Sequence, residues 1–168
     1  PGFIDLHVHL DPIRTHSDCQ SHLRQGVTTS LGGPDGSSPW PFGAFLDSLE
    51  QQGVGMNVAY LIGHNTVRRN IMGLDNRAPM AGELEQMKAQ VAQAMREGAY
   101  GISTGLKYLP GSFSETGEVV ALSAVAADAG GIYTSHLREE GLDIFHSVAE
   151  AIRISREAGI RVVLTHHK

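Results

Sequence analysis

The chain has 168 residues, of which 41% are hydrophobic and 18% charged, with a formal net charge of −5. That length buries one adequate core, while the acidic balance and the 6% aromatic content exclude the concentrated basic surface of a nucleic-acid groove. No apolar run approaches the ~18 residues of a membrane span, no signal-peptide pattern opens the chain, and a lone cysteine leaves no disulfide framework, which fits a cytoplasmic setting.

Residues 3–9 form an apolar, strand-like run that ends in His7-Val8-His9. Residues two apart on a strand share a face, so both imidazoles leave one side of the strand end at a spacing suited to one metal ion. By itself a His-x-His is more often a pair of half-exposed histidines; its weight here comes from the histidines that end two later runs. Cys19 falls in a helix expected after this run, away from the strand ends, and is not read as a ligand. The second run is Val27–Gly32, and residues 32–42, with three glycines and three prolines, form a loop that carries Asp35.

A third run covers 57–63 and is followed by His64, read as lining a pocket without ligating anything. Arg68-Arg69 reads as a solvated helix start, with attraction of an anionic substrate as the functional alternative. Helix 83–97 places Leu84, Met87, Val91, Ala94 and Met95 on one face. The fourth run is 100–105, then a loop at 109–114 and a helix at 116–129 closed by Gly130-Gly131. The fifth run, Ile132–His136, ends in His136, and Glu139 and Glu140 beyond it read either as groups orienting that imidazole or as surface charge. Helix 144–158 has Val148, Ala151, Ile152 and Ser155 as its expected inner stripe, and Gly98 and Gly159 stand where C-terminal caps belong. The sixth run, 161–166, ends in His166; His167 points to the opposite side of a continuing strand, and His16, His22 and His146 are expected to face solvent.

Strand and helix alternate without a sequence repeat, which predicts parallel βαβ units in an α/β fold. An open doubly wound sheet and a (β/α)₈ barrel cut short both fit, since a full barrel needs ~250 residues. Polar residues favour the barrel: three runs finish in histidine, the second finishes just ahead of Asp35, and barrels gather functional groups from the C-terminal ends of several strands. No Gly-x-Gly-x-x-Gly follows the first run, so the nucleotide-binding open sheet lacks its signature. The chain begins and stops against strands, which is the expectation for a piece of a longer protein: residues 1–168 as the first six strands of a barrel, with strands seven and eight and a small β domain absent.

Six segments carry a family resemblance. They are Pro1-Gly2-Phe3-Ile4-Asp5-Leu6-His7-Val8-His9, Gln25-Gly26-Val27-Thr28-Thr29, Asn57-Val58-Ala59-Tyr60-Leu61-Ile62-Gly63-His64, Gly101-Ile102-Ser103-Thr104-Gly105-Leu106-Lys107-Tyr108, Ser135-His136-Leu137-Arg138-Glu139-Glu140-Gly141 and Thr165-His166-His167-Lys168. Together they resemble the N-acyl-D-amino-acid deacylases (D-aminoacylases) of the amidohydrolase superfamily.

The resemblance implies a zinc-dependent hydrolase, with one or two ions, acting on the amide bond of a small N-acyl-D-amino acid. It places His7 and His9 at one metal position and His136 and His166 at its neighbour, with Tyr108 and Lys168 near the substrate carboxylate. The family's general-base aspartate closes the eighth strand, beyond Lys168, so the 168 residues alone are expected to be inactive. Where the family carries a cysteine ligand after the second strand, this chain has Asp35; a carboxylate can bridge two ions, although Pro-Asp-Gly is also ordinary turn chemistry. Two alternatives stand beside this reading. One is a cyclic-amide hydrolase of the dihydroorotase or hydantoinase type, whose relatives bridge their metals with a lysine carbamate on the fourth strand; here 100–105 has no lysine and Lys107 lies just beyond. The other is a non-catalytic truncated product. Oligomeric state is left open.

Overall fold

The computed structural model describes residues 1–166. Seven strands, β1 (Phe3–Asp5), β2 (Val27–Gly32), β3 (Asn57–Tyr60), β4 (Ile62–Gly63), β5 (Gly101–Gly105), β6 (Ile132–His136) and β7 (Arg161–Leu164), alternate with six helices. These are α1 (Gln20–Leu23), α2 (Phe42–Gln52), α3 (His64–Met72), α4 (Ala81–Arg96), α5 (Thr116–Asp128) and α6 (Ile144–Ala158). All pairings are parallel, in the orders β1-β2-β3 and β4-β5-β6-β7, so within each sheet every strand lies beside its predecessor in the chain.

Two of the expected strands differ in the structure. The run 57–63 splits at Leu61, whose N–H still bonds the Gly32 carbonyl (3.0 Å) while Ile62 and Gly63 pair with Ile102 and Ser103. One segment therefore serves both sheets. The first run is regular only to Asp5; the chain bends at Leu6 and His7, so His7 and His9 leave an irregular extension rather than one pleated face. That extension is still tied to β2 through Val8 N–H and the Leu31 carbonyl (3.3 Å).

β5 is buried at every residue, as a parallel strand flanked on both edges should be. Ile102, Met87, Val91, Leu122, Tyr133 and Ile154 are fully buried, and α3, α4, α5 and α6 pack each against the next outside the strands. The inner stripe of α6 is Ser147, Ala151, Ile154 and Ala158, not the expected 148/151/152/155: Ile152 is exposed, and Ser147 Oγ turns inward to accept the Glu139 N–H (3.0 Å). Among the described residues no helix is long and apolar enough to cross a membrane.

Candidate metal centre

The turn Gly33-Pro34-Asp35-Gly36 leaves the end of β2 with Gly33, Asp35 and Gly36 at φ +71°, +56° and +77°. Aspartate tolerates this left-handed region better than most side chains. The turn aims a nearly buried carboxylate at the strand ends, where its two oxygens meet different histidines. Oδ2 lies 3.0 Å from His9 Nε2 and 3.6 Å from His7 Nε2, and Oδ1 lies 3.4 Å from His136 Nδ1. His166 completes the group, its ring centroid 5.5 Å from that of His7 and 4.4 Å from that of His136.

The donor set suits a metal. His7, Asp35 and His166 each offer an atom within 4.8 Å of the others, and so do His136, Glu140 and His166, so two clusters meet at His166. Zinc ligands at about 2.1 Å in a tetrahedron stand roughly 3.4 Å apart, close to the 3.0–3.6 Å between the Asp35 oxygens and their histidines. Among the described residues, His7 Nδ1 is buried with no hydrogen-bond partner. Burial pulls the His7 pKa down, against the pull of Asp35, and His9 and His166 add to the lowering, so the neutral imidazole that a metal needs is favoured.

The site residues expected from sequence are distributed as follows. His7, Asp35, His136 and His166 converge; His9 reaches Asp35 but is exposed and belongs to neither cluster. Tyr108 packs at a tilt against His136 (centroids 4.6 Å apart, planes 53° apart), its hydroxyl 3.5 Å from Nδ1. Burial, then the charges of Asp35 and Glu140, raise the Tyr108 pKa and keep the phenol a donor. Lys168 and His167 lie outside the described residues.

Glu140 is the residue whose place is ambiguous in sequence: Oε2 lies 3.5 Å from His136 Nε2, and Oε1 contacts His166 Nδ1. Its position four residues past a strand-end histidine is the available signal. Glu139 turns away to Lys107 (2.8 Å). A cavity of about 380 Å³ opens beside His9, lined by Arg14, Pro34, Ser37, Phe45 and Tyr60.

Two expectations are overturned. His64 does not line a pocket: it is the first residue of α3, fully buried, with Nε2 2.7 Å from Glu118 Oε1. Arg68 is not a solvated helix start; it is fully buried, paired with Glu118 and donating to the Asp75 (3.2 Å) and Arg77 (2.6 Å) carbonyls. A shared carboxylate on α5 is what draws both inward, and only Arg69 stays exposed. Cys19 precedes α1 rather than lying in it, and is buried.

No protein-family model matches the chain. A D-aminoacylase of Alcaligenes xylosoxydans xylosoxydans is 34% identical, covering all of this chain and 40% of the relative. An N-acyl-D-aspartate deacylase of the same organism is 35% identical, with 100% and 39% covered. A crystal structure of D-aminoacylase, described as defining a subset of amidohydrolases, superposes with TM-score 0.93 at 33% identity, covering 100% of this chain and 40% of that one. The N-acyl-D-glutamate deacylase of Bordetella bronchiseptica, solved with zinc and a phosphonate mimic of the tetrahedral intermediate, gives TM-score 0.94 at 34% identity over the same shares. The chain thus spans about two fifths of the length of these relatives.

Proposed function

The chain belongs to the D-aminoacylase family of amidohydrolases, and from that membership we propose that the protein hydrolyses the amide bond of small N-acyl-D-amino acids at a zinc centre built on Asp35. The observation that carries the reading is the divided carboxylate: Oδ2 faces His7 and His9 while Oδ1 faces His136. His7 and His9 would hold one ion and His136 and His166 the other, with Asp35 between the two groups of histidines in place of the family's cysteine. The chemistry that zinc would supply there is acidification of a coordinated water toward a pKa of ~7 and polarisation of the scissile carbonyl.

The chain's own groups bind and orient. Tyr108 beside His136 donates its hydroxyl to the substrate carboxylate, with Lys168 as its cationic partner. Glu140 takes the outer nitrogens of His136 and His166 and fixes which ring nitrogen faces the metal. The proton-transferring aspartate is the family's residue after the eighth strand, outside these 168 residues. The strand order supports reading residues 1–168 as the N-terminal part of a (β/α)₈ barrel, with the site at the C-terminal strand ends. A cytoplasmic setting belongs to the same proposal and rests on the lone cysteine.

Zinc-loaded full-length protein, offered matched N-acyl-D- and N-acyl-L-amino acids, should release free amino acid from the D form. Ring opening of a dihydroorotate or hydantoin without that release would transfer the protein to the cyclic-amide hydrolases. The structure disfavours that outcome, because Lys107 is held by Glu139 and β5 has no lysine to carry a carbamate.

A further inference from the structure

Asp35 does not reach the histidines by its own preference. Gly33 and Gly36 take positive φ freely, but Asp35 at +56° is a non-glycine residue in the left-handed region, a modestly costly conformation that the surroundings hold in place. The surrounding constraint comes chiefly from one side chain, Ser103 on β5. Its hydroxyl accepts the Gly36 N–H (3.1 Å) and donates to the Gly33 carbonyl (2.6 Å), closing both ends of the turn with a single oxygen. Ser103 is fully buried, and it sits one residue from Thr104, whose hydroxyl goes the other way, to Tyr133 (2.9 Å) and Ser135 (3.2 Å).

The roles of donor and acceptor at one short-stemmed atom require a hydroxyl, and alanine offers neither. Secondary supports act on the same turn. Thr66 N–H bonds the Gly36 carbonyl (3.2 Å), Thr66 Oγ1 exchanges bonds with the Ser38 backbone (2.9 and 3.0 Å), and the Asp35 carbonyl packs directly on Gly105.

We infer that Ser103 is a positioning residue for metal binding: acting through the Gly33–Gly36 turn, it sets the Asp35 carboxylate so that one oxygen faces the β1 histidines and the other faces His136. The inference rests on the reading of Asp35 as the bridging ligand. Ser103 itself touches neither substrate nor metal. It explains why a serine stands at this position of β5, its hydroxyl turned to the Asp35 turn while that of Thr104 turns to Tyr133 and Ser135, and why a turn-forming aspartate is delivered to the strand ends.

The test compares Ser103→Ala, Ser103→Thr, Asp35→Asn and the Ser103→Ala/Asp35→Asn double variant of the full-length protein, by zinc content under a chelator series and by the visible spectrum of the cobalt-loaded forms. Ser103→Ala should weaken zinc roughly ten- to hundred-fold, the usual effect of losing a group that orients a ligand, while its metal-free melt stays cooperative. The double variant should bind zinc as Asp35→Asn alone does, because the serine acts only through the aspartate; a purely structural serine would add its loss to that of Asp35→Asn. Ser103→Thr, which keeps the hydroxyl, should retain zinc and the parent cobalt spectrum. Additive losses, unchanged zinc affinity in Ser103→Ala, or loss of zinc from a folded Ser103→Thr overturns the inference while the reading of Asp35 stands. Zinc binding unaltered by Asp35→Asn removes both.

Discussion

Glu118 Oε1 lies 2.7 Å from His64 Nε2, joining α5 to the first residue of α3 with both side chains out of solvent. The other oxygen of the same carboxylate pairs with Arg68, also fully buried. One acid on α5 thus meets two side chains of α3, a turn apart, and ties the two helices together. Removing one member of a buried ion pair leaves the other charge unpaired, at a cost of about 3–5 kcal/mol. Glu118→Gln should therefore lower the melting temperature by on the order of 10 °C, with the metal-centre geometry spared in whatever remains folded. A thermal melt that shifts by less than about 3 °C, on the same scale, would remove this trio from the stabilising interactions.

The same carboxylate predicts an acid limb. Burial alone pushes the Glu118 pKa up, but the hydrogen bonds and charges of His64 and Arg68 outweigh it and hold the group below its ordinary value of 4.5. A pKa lower in the folded than in the unfolded chain contributes stability above the unfolded value, and that contribution is lost as pH falls through the folded one. Melting temperature measured downward from about pH 6 should decline more steeply below about 4.5 in the parent than in Glu118→Gln. Parallel curves would show that Glu118 titrates alike in both states.

Asp35 separates a ligand from a turn former. Asparagine adopts the left-handed φ of +56° as readily as aspartate and preserves the Pro-x-Gly turn, but its neutral amide is a far weaker zinc ligand. Asp35→Asn should lose zinc and turnover together in the full-length protein while the metal-free melt holds. If zinc content and turnover are unchanged, Asp35 belongs to the turn alone.

How much of the fold and site is legible in the sequence depends on how local each signal is. His7, His9, His136 and His166 are readable because each terminates an apolar run, and Asp35 because it follows one. His64 and Arg68 are not, because their partner, Glu118, stands 54 and 50 residues away, and no local pattern carries a pairing of that range. The α6 stripe is ambiguous because 147/151/154/158 and 148/151/152/155 are both helical spacings; the choice is made by Ser147 meeting Glu139, a tertiary contact. Likewise, nothing in residues 57–63 announces that Leu61 ends one sheet's pairing and Ile62 begins the other's.

Close backbone approach offers a sharper probe of the site than side-chain deletion. A Cβ on Gly105 would stand 2.2 Å from the Asp35 carbonyl oxygen and 2.9 Å from Tyr108 Cδ2, so one methyl presses on a metal-facing turn and on the substrate-side phenol. Gly105→Ala should cost about 1–3 kcal/mol through overpacking and should reduce zinc retention as well. Gly117, near the start of α5, has nothing within 4 Å of its added Cβ. Gly117→Ala should leave zinc untouched and raise stability by about 0.4–1 kcal/mol. Equal zinc retention in the two variants would disconnect the Gly105 contact from the site.

His136 presents one ring nitrogen to each carboxylate: Nδ1 to Asp35 at 3.4 Å and Nε2 to Glu140 at 3.5 Å. A neutral imidazole that offers its Nδ1 lone pair to a metal carries its proton on Nε2, facing Glu140. Glu140 also contacts His166 Nδ1, so one carboxylate orients both histidines of the second metal position. Glu140→Gln keeps the shape and removes the charge; zinc affinity should fall roughly ten- to hundred-fold, with the two histidines still bound to whatever metal remains. His136→Ala, which deletes a ligand outright, should lose more. The ordering is the discriminating result: if Glu140→Gln empties the site as completely as His136→Ala, Glu140 is itself a ligand, and if it changes nothing, the carboxylate is surface charge that happens to lie beside the histidines.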